Sequence, residues 1–343
     1  MLARGLAPIV GADIDKCETA AKLAKCDLVT QTVIEFTSLQ GQIGRLMYEK
    51  EGGDVDVAMA IEDHYRPQGP SDTIPKQAVG TVISLADKFD SLISFWAIDE
   101  KPTGSKDPYA LRRAALGAVR VILDNDIRLN LSSEFLKGWM VLEMDNMANA
   151  AAPDSLTDGA VTTDERAVID NLIAFIADRL KVHLRDEGVR HDLIDAVFAL
   201  GEDDLVAIVN RVKALQAFLG TDDGENLLSG YKRAANILKA EAKKGRLAAD
   251  MFDEAADAGT QSEETALFDA LSKATPSIET ALLAEDFAGA MTALSRLRAP
   301  IDAFFDHVTV NSDIESERQN RLRLLGQIRD TAQKIADFER IDG

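Results

Sequence analysis

The run Thr103-Gly104-Ser105-Lys106-Asp107-Pro108 brings a lysine, a hydroxyl and the start of a helix together, a grouping able to hold one phosphate. It lacks the Gly-x-x-x-x-Gly-Lys-Ser/Thr spacing that wraps nucleotide phosphates in backbone amides, so it is no P-loop. The run lies in the first of three basic windows. Between positions 101 and 120, Lys101, Lys106, Arg112, Arg113 and Arg120 face a single acid, Asp107. Between 231 and 246, Lys232, Arg233, Lys239, Lys243, Lys244 and Arg246 face only Glu241. Between 318 and 329, Arg318, Arg321, Arg323 and Arg329 meet no acid. The whole chain carries a net charge of −20, from 58 acids against 38 lysines and arginines. Screening over about 8 Å at physiological salt makes the local patch, not the total, decide whether an anion docks. Anionic ligands are therefore allowed where cations gather, and solvated helix faces are the competing account of the same windows.

A second grouping is acidic. Cys26-Asp27, His64 and the Asp87…Asp90 pair are residue types that can hold a divalent metal and let it activate water. The stretches Ala24-Lys25-Cys26-Asp27-Leu28 and Leu85-Ala86-Asp87-Lys88-Phe89-Asp90 resemble two helices of the histidine-aspartate (HD) phosphohydrolases, those bearing the His-Asp dipeptide and the late aspartate. Cysteine stands at the dipeptide's histidine and no histidine precedes it, so two imidazole ligands are missing. A lone thiolate with two carboxylates suits neither zinc nor magnesium. The expectation for Cys26, Asp27, His64 and Asp87 is a degenerate site without metal, with His64 at a helix end. Cys17 and Cys26 lie nine residues apart, on opposite faces of a helix, so a mutual disulfide is not expected. No Ser/His/Asp or Cys/His set is spaced for nucleophilic catalysis, and no catalytic residue is expected in this chain.

These residues need elements to carry them, and the spacing of apolar residues is helical. A length of 343 residues sets a prior of about two domains. Val29, Val33, Phe36, Leu39, Ile43 and Leu46 predict one amphipathic helix ended by Gly52-Gly53, and a second runs from Val55 to Tyr65. Arg66 to Ser71 reads as a loop, and a third helix starts near Pro75. Asp107 is expected to cap the next helix with Pro108 in its first position; Leu111, Ala115, Val119 and Ile122 lie on one side, Arg112, Arg113 and Arg120 on the other. Later stripes run over 172–184, 193–200, 205–219 and 287–308, the last kinked or split at Pro300, and a final helix spans Arg318 to Phe338. No convincing strand alternation occurs. The fold class is all-α, with a domain at 1–147, a connector at 148–164 and a second domain at 165–343. No run of about 18 uncharged apolar residues exists, so no membrane span is expected and the chain reads as cytoplasmic.

Taken together, the motifs resemble one family. Leu23 to Thr30, Val33-Ile34-Glu35-Phe36, Ala60-Ile61-Glu62…His64-Tyr65, and the block Pro102-Thr103-Gly104-Ser105-Lys106-Asp107-Pro108-Tyr109-Ala110-Leu111-Arg112-Arg113 resemble the β subunit of bacterial heterotetrameric glycyl-tRNA synthetase. So do Lys232-Arg233-Ala234-Ala235-Asn236, Ile301 to Val308 and Arg321-Leu322-Arg323-Leu324-Leu325. The family's subunit is longer, and this chain resembles its C-terminal portion. The resemblance implies an HD-like helical domain on the acceptor side of tRNA, followed by a helical anticodon-binding-type domain. It implies ATP-dependent attachment of glycine to tRNA-Gly, with ATP and magnesium used by the partner α subunit and no cofactor in this chain, which alone is expected to be inactive. Lys106, Arg112 and Arg113 are the residues expected at acceptor-side phosphates or at the α subunit. Lys232, Arg233, Asn236, Arg318, Arg321 and Arg323 are those expected at the anticodon stem-loop. Neither DNA nor a membrane is implied as a partner. A metal-dependent HD-type phosphohydrolase and a purely structural assembly module are the alternatives.

Overall fold

Helical periodicity becomes helices throughout the described residues. The computed structural model describes residues 1–149, 163–245, 247, 251–252 and 255–342, and among these residues there is no strand. The chain divides into two compact units, Met1–His183 with Asp203–Val206, and Leu184–Glu202 with Ala207–Gly343. Most of the expected connector, 148–164, lies outside the described residues.

The first unit is built on α1 (Leu2–Val10), α2 (Ile14–Leu23), α3 (Gln31–Glu35), α4 (Gln42–Lys50), α5 (Val55–Asp63), α6 (Ala78–Ala97), α7 (Leu111–Asp124), α8 (Leu131–Asn149) and α9 (Thr163–Asp186). Helix α6 is its axis, because α1, α2, α5, α7 and α8 all pack on it. Val82, Leu85, Phe89 and Leu92 are wholly buried along α6, and the Phe89 ring meets Phe135 edge to face at 5.0 Å. Thirteen residues of this 20-residue helix are buried, which explains why it reads as apolar nearly all round.

The amphipathic stripe expected over 29–46 does not form one helix. The chain turns through a short 3-10 segment (Cys26–Val29), α3, a second 3-10 segment (Thr37–Leu39) and then α4. Two residues cause this. The buried Asp27 carboxylate accepts the amides of Gly41 (2.6 Å) and Gly44 (3.2 Å) through Oδ2, so it draws the later turn back upon the earlier one. Gly41 sits at φ 79°, a left-handed conformation that ends any continuous helix there. The stripe is consequently not a core: Val33 is buried, but Val29 is 83% and Phe36 58% exposed. Gly44 also lets α4 approach α5, since a Cβ there would come within 2.7 Å of Ile61 Cγ2. Gly44→Ala is expected to cost the first unit about 1–3 kcal/mol through overpacking. A fall in its urea midpoint without a change of slope would register it; an unmoved midpoint would refute the close-approach argument.

The second unit contains α10 (His191–Phe198), α11 (Leu205–Leu219), α12 (Asp222–Lys243), α13 (Ser262–Leu283), α14 (Phe287–Ser295), α15 (Arg298–His307) and α16 (Glu315–Gln333). Helix α12 packs on α15 and α16, and α13 packs on α14, α15 and α16. The stripe expected to kink or split at Pro300 is split. Helix α14 ends at Ser295, and Pro300 lies in the first turn of α15, where its missing N–H costs no helical bond. The final helix begins at Glu315 and ends at Gln333, with a 3-10 turn at Phe338–Arg340 after it.

Candidate nucleic-acid interface

The first basic window folds around the start of α7. Asp107 does cap that helix: its carboxylate accepts the amides of Leu111 (2.8 Å) and Arg112 (3.0 Å). The helix nevertheless starts at Leu111, after Ala110 at φ 55°, so Pro108 is not its first residue. Arg112 bonds backward to the loop, donating Nη2 to the Gly104 carbonyl (2.7 Å) and Nη1 to that of Lys106 (3.5 Å). Arg120 does the same for another loop, donating to the carbonyls of Gly69 (2.7 Å) and Asp72 (3.0 Å). Lys101 pairs with Asp99 at 2.8 Å. Among the described residues, Lys106 and Arg113 are therefore the cations of this window whose side chains are exposed and without an acid or carbonyl partner. Arg112 is a brace for the loop that presents Lys106.

The second window lies on α12. At about 100° per residue, Lys232, Asn236, Lys239 and Lys243 fall within an arc of about 60°. Asn236, Lys239 and Lys243 are exposed and Lys232 is half-buried. Lys239 meets Glu339 at 2.9 Å in an exposed pair, the kind that contributes little and exchanges readily with a phosphate. Lys244 pairs with the buried Glu241 at 2.7 Å, and Arg246 lies outside the described residues. Arg233 turns to α15, its guanidinium 4.4 Å from the Phe305 ring centre and Nη2 3.4 Å from the Phe305 carbonyl.

The third window is committed to the fold. Arg321 is 2% exposed; its Nε donates to Glu264 at 2.5 Å, Nη1 to the Thr309 carbonyl at 2.9 Å, and Nη2 lies 3.1 Å from Glu317. Burial alone would raise the Glu264 pKa, but Arg321 and the amides of Gln261 and Thr260 hold it below the usual range. Arg318 pairs with Glu315 and donates to the Ser312 carbonyl, and Arg323 donates to the Met251 carbonyl at 3.0 Å. Arg329 pairs with Asp330 at 2.8 Å. Arg321 is thus a core residue and not a ligand contact, because its acids come from α13 and from its own preceding turn.

The acidic grouping lines a cleft of about 520 Å³ in the first unit, with Lys25, Cys26, His64, Asp87 and Asp90 among its walls. His64 closes α5, as expected of a helix end, and is wholly buried. Its Nδ1 meets the Ile61 carbonyl at 2.7 Å, which places the proton on that nitrogen, and burial lowers its pKa so that the ring is neutral. Asp87 pairs with Lys25 at 2.6 Å, Asp27 is occupied by the two glycine amides, and the exposed Cys26 thiol, in no disulfide, donates to the Lys22 carbonyl at 3.4 Å. Among the described residues no group of three or more His, Cys, Asp or Glu side chains could hold a metal ion. These four positions therefore do not fit a metal-activated water.

Spacing alone did not mark Tyr109. It is 49% exposed and stacks on Phe95 with ring centres 4.2 Å apart and planes at 27°. Only its position between Lys106 and Arg113 could have drawn attention to it.

A family model described as the glycyl-tRNA synthetase beta subunit matches residues 1–199, and one described as the DALR anticodon binding domain matches residues 227–338. The chain is 49% identical to the glycine–tRNA ligase beta subunit of Phenylobacterium zucineum (strain HLK1) over 345 residues, covering 100% of this chain and 46% of that protein. The same-named protein of Ruegeria sp. (strain TM1040) is 49% identical over 346 residues, and that of Paracoccus denitrificans (strain Pd 1222) 50% over 343, each again with 46% of the relative covered. The chain spans about half the length of the curated relatives it matches.

Proposed function

This chain belongs to the glycyl-tRNA synthetase beta subunit family, and from that premise we propose that it is a tRNA-binding part of glycine–tRNA ligase. In this reading it supports ATP-dependent attachment of glycine to tRNA-Gly, while ATP, magnesium and the reacting groups are held by a partner α subunit. The observation that carries the proposal is the polar stripe of α12, half-buried Lys232 with exposed Asn236, Lys239 and Lys243, lying within the stretch matched as an anticodon binding domain. Single-stranded loops are read by splayed bases whose backbone is fixed by lysine and arginine, and a narrow cationic face on a rigid helix suits that task. In this reading the adenylate-forming site lies in the partner, so the chain alone is expected not to aminoacylate. The reading also includes Lys106 and Arg113 as phosphate contacts of the first unit. It places the protein in the cytoplasm.

Filter binding of tRNA-Gly and an unrelated tRNA over a salt series tests this. Affinity is expected to favour tRNA-Gly, and its logarithm to fall with log salt by about 0.7–0.9 per phosphate neutralised. Lys232→Gln with Lys243→Gln is expected to reduce that slope by roughly 1.5 without altering secondary structure. Equal affinity for both tRNAs at every salt, or an unchanged slope in the double variant, would overturn the proposal.

A further inference from the structure

We propose that the Tyr109 ring is a stacking platform for an unpaired RNA base, with Lys106 and Arg113 holding the phosphates on either side of it. Phe95, on α6, stacks on one face of the Tyr109 ring at 4.2 Å, and Tyr109 as a residue remains 49% exposed. An exposed aromatic side chain flanked in sequence by unengaged cations is useful to a base, since every base has a π-face. The two cations flank the ring in sequence. Lys106 precedes it by three residues in the turn closed by the Thr103–Lys106 backbone pair, and Arg113 follows it in the first turn of α7.

The surroundings favour an anion on this surface. Asp107, the acid between Lys106 and Tyr109, is turned to the amides of Leu111 and Arg112 and is held there. Asp99 is paired with Lys101, which leaves the exposed Glu100 as the neighbouring acid along the chain at that end. Arg112 fixes the loop by the carbonyls of Gly104 and Lys106, so the platform is rigid before any ligand arrives. The exposed hydroxyls of Thr103 and Ser105 add donors for sugar or phosphate oxygens. Duplex RNA offers no free base face along its length, so the ligand chemistry is a single-stranded nucleotide at an end or overhang.

The inference rests on the RNA-binding reading, and the experiment separates the two. Two hairpins share one stem; one is blunt and the other carries a four-nucleotide 3′ overhang with 2-aminopurine at a single overhang position. The full chain is expected to bind the overhang hairpin more tightly and to quench its 2-aminopurine fluorescence through stacking. Tyr109→Leu is expected to lose roughly tenfold in affinity for the overhang hairpin and nothing for the blunt one, while Tyr109→Trp retains both. Lys106→Gln and Arg113→Gln are expected to weaken the overhang hairpin more than the blunt one and to flatten its salt dependence. Unquenched fluorescence on binding, or equal loss on both hairpins in Tyr109→Leu, overturns the platform while leaving RNA binding in place. Failure of the unaltered chain to bind either hairpin or tRNA removes both.

Discussion

Replacing Arg321 by methionine is expected to destabilise the second unit by about 3–5 kcal/mol, the cost of leaving a buried charge without its partner. Glu264 is 1% exposed and would keep the amides of Thr260 and Gln261, both at 2.9 Å, and the Thr260 hydroxyl at 3.3 Å, but no cation. Its folded-state pKa lies below its unfolded value, so it contributes stability above the unfolded value that disappears as pH falls through the folded one. Without Arg321 that depression is lost and burial raises the pKa, so the acid limb of the unfolding curve should move to higher pH. Urea unfolding of Arg321→Met, Glu264→Gln and the double variant supplies the check. The double variant should recover much of the loss, because methionine beside a neutral amide removes both the charge and its orphan. Additive losses would mean that the pair is not coupled, and the core assignment of Arg321 would fall. Its RNA affinity per folded molecule should match that of the unaltered chain, unlike the variants on α12.

Arg321 also shows where sequence reading stops. The window 318–329 looks wholly basic along the chain, but Arg321 is neutralised by Glu317, just outside the window, and by Glu264, 57 residues away on another helix. Windows of charge describe neighbours in sequence, whereas a guanidinium answers to neighbours in space. Arg112 and Arg113 make the same point at the smallest scale. Turned about 100° from each other on α7, one braces a loop and the other stays in solvent. Helical content was legible because a period of 3.6 needs only local residues, and so was the split of 287–308, since proline acts where it stands. The failure over 29–46 has a different source. The apolar spacing there is real, but the Asp27 carboxylate reaching two glycine amides breaks the chain direction, and an acid in a hydrophilic-looking run gives no sign of that reach. The lysines of α12 survived the transfer from sequence to structure because their partner helices pack against the opposite, apolar face.

Lys88 supplies the other large effect, and its sign is unusual. The side chain is 5% exposed and donates to the carbonyls of Arg66 (2.8 Å), His64 (3.3 Å) and Ser84 (3.4 Å) and to the Ser84 hydroxyl (3.0 Å). Gly117 makes room for its stem, since a Cβ there would lie 2.7 Å from Lys88 Cε. Burial pushes the amine down to about 8, from an ordinary value of 10.5. Between those values the unfolded chain keeps a proton that the folded chain has released, so unfolding takes up protons and stability rises with pH. Complete titration of that gap is worth about 3 kcal/mol. Lys88→Met lacks the group and should show no such rise. Tyr65 and Tyr231, both raised to about 12 chiefly by burial, act in the opposite direction at higher pH. The informative quantity is consequently the difference between the two proteins from pH 7 to pH 10, measured by urea unfolding followed through circular dichroism. Curves that stay parallel across this range would show that Lys88 titrates alike in both states. Its four oxygen acceptors would then stabilise the ammonium enough to offset burial.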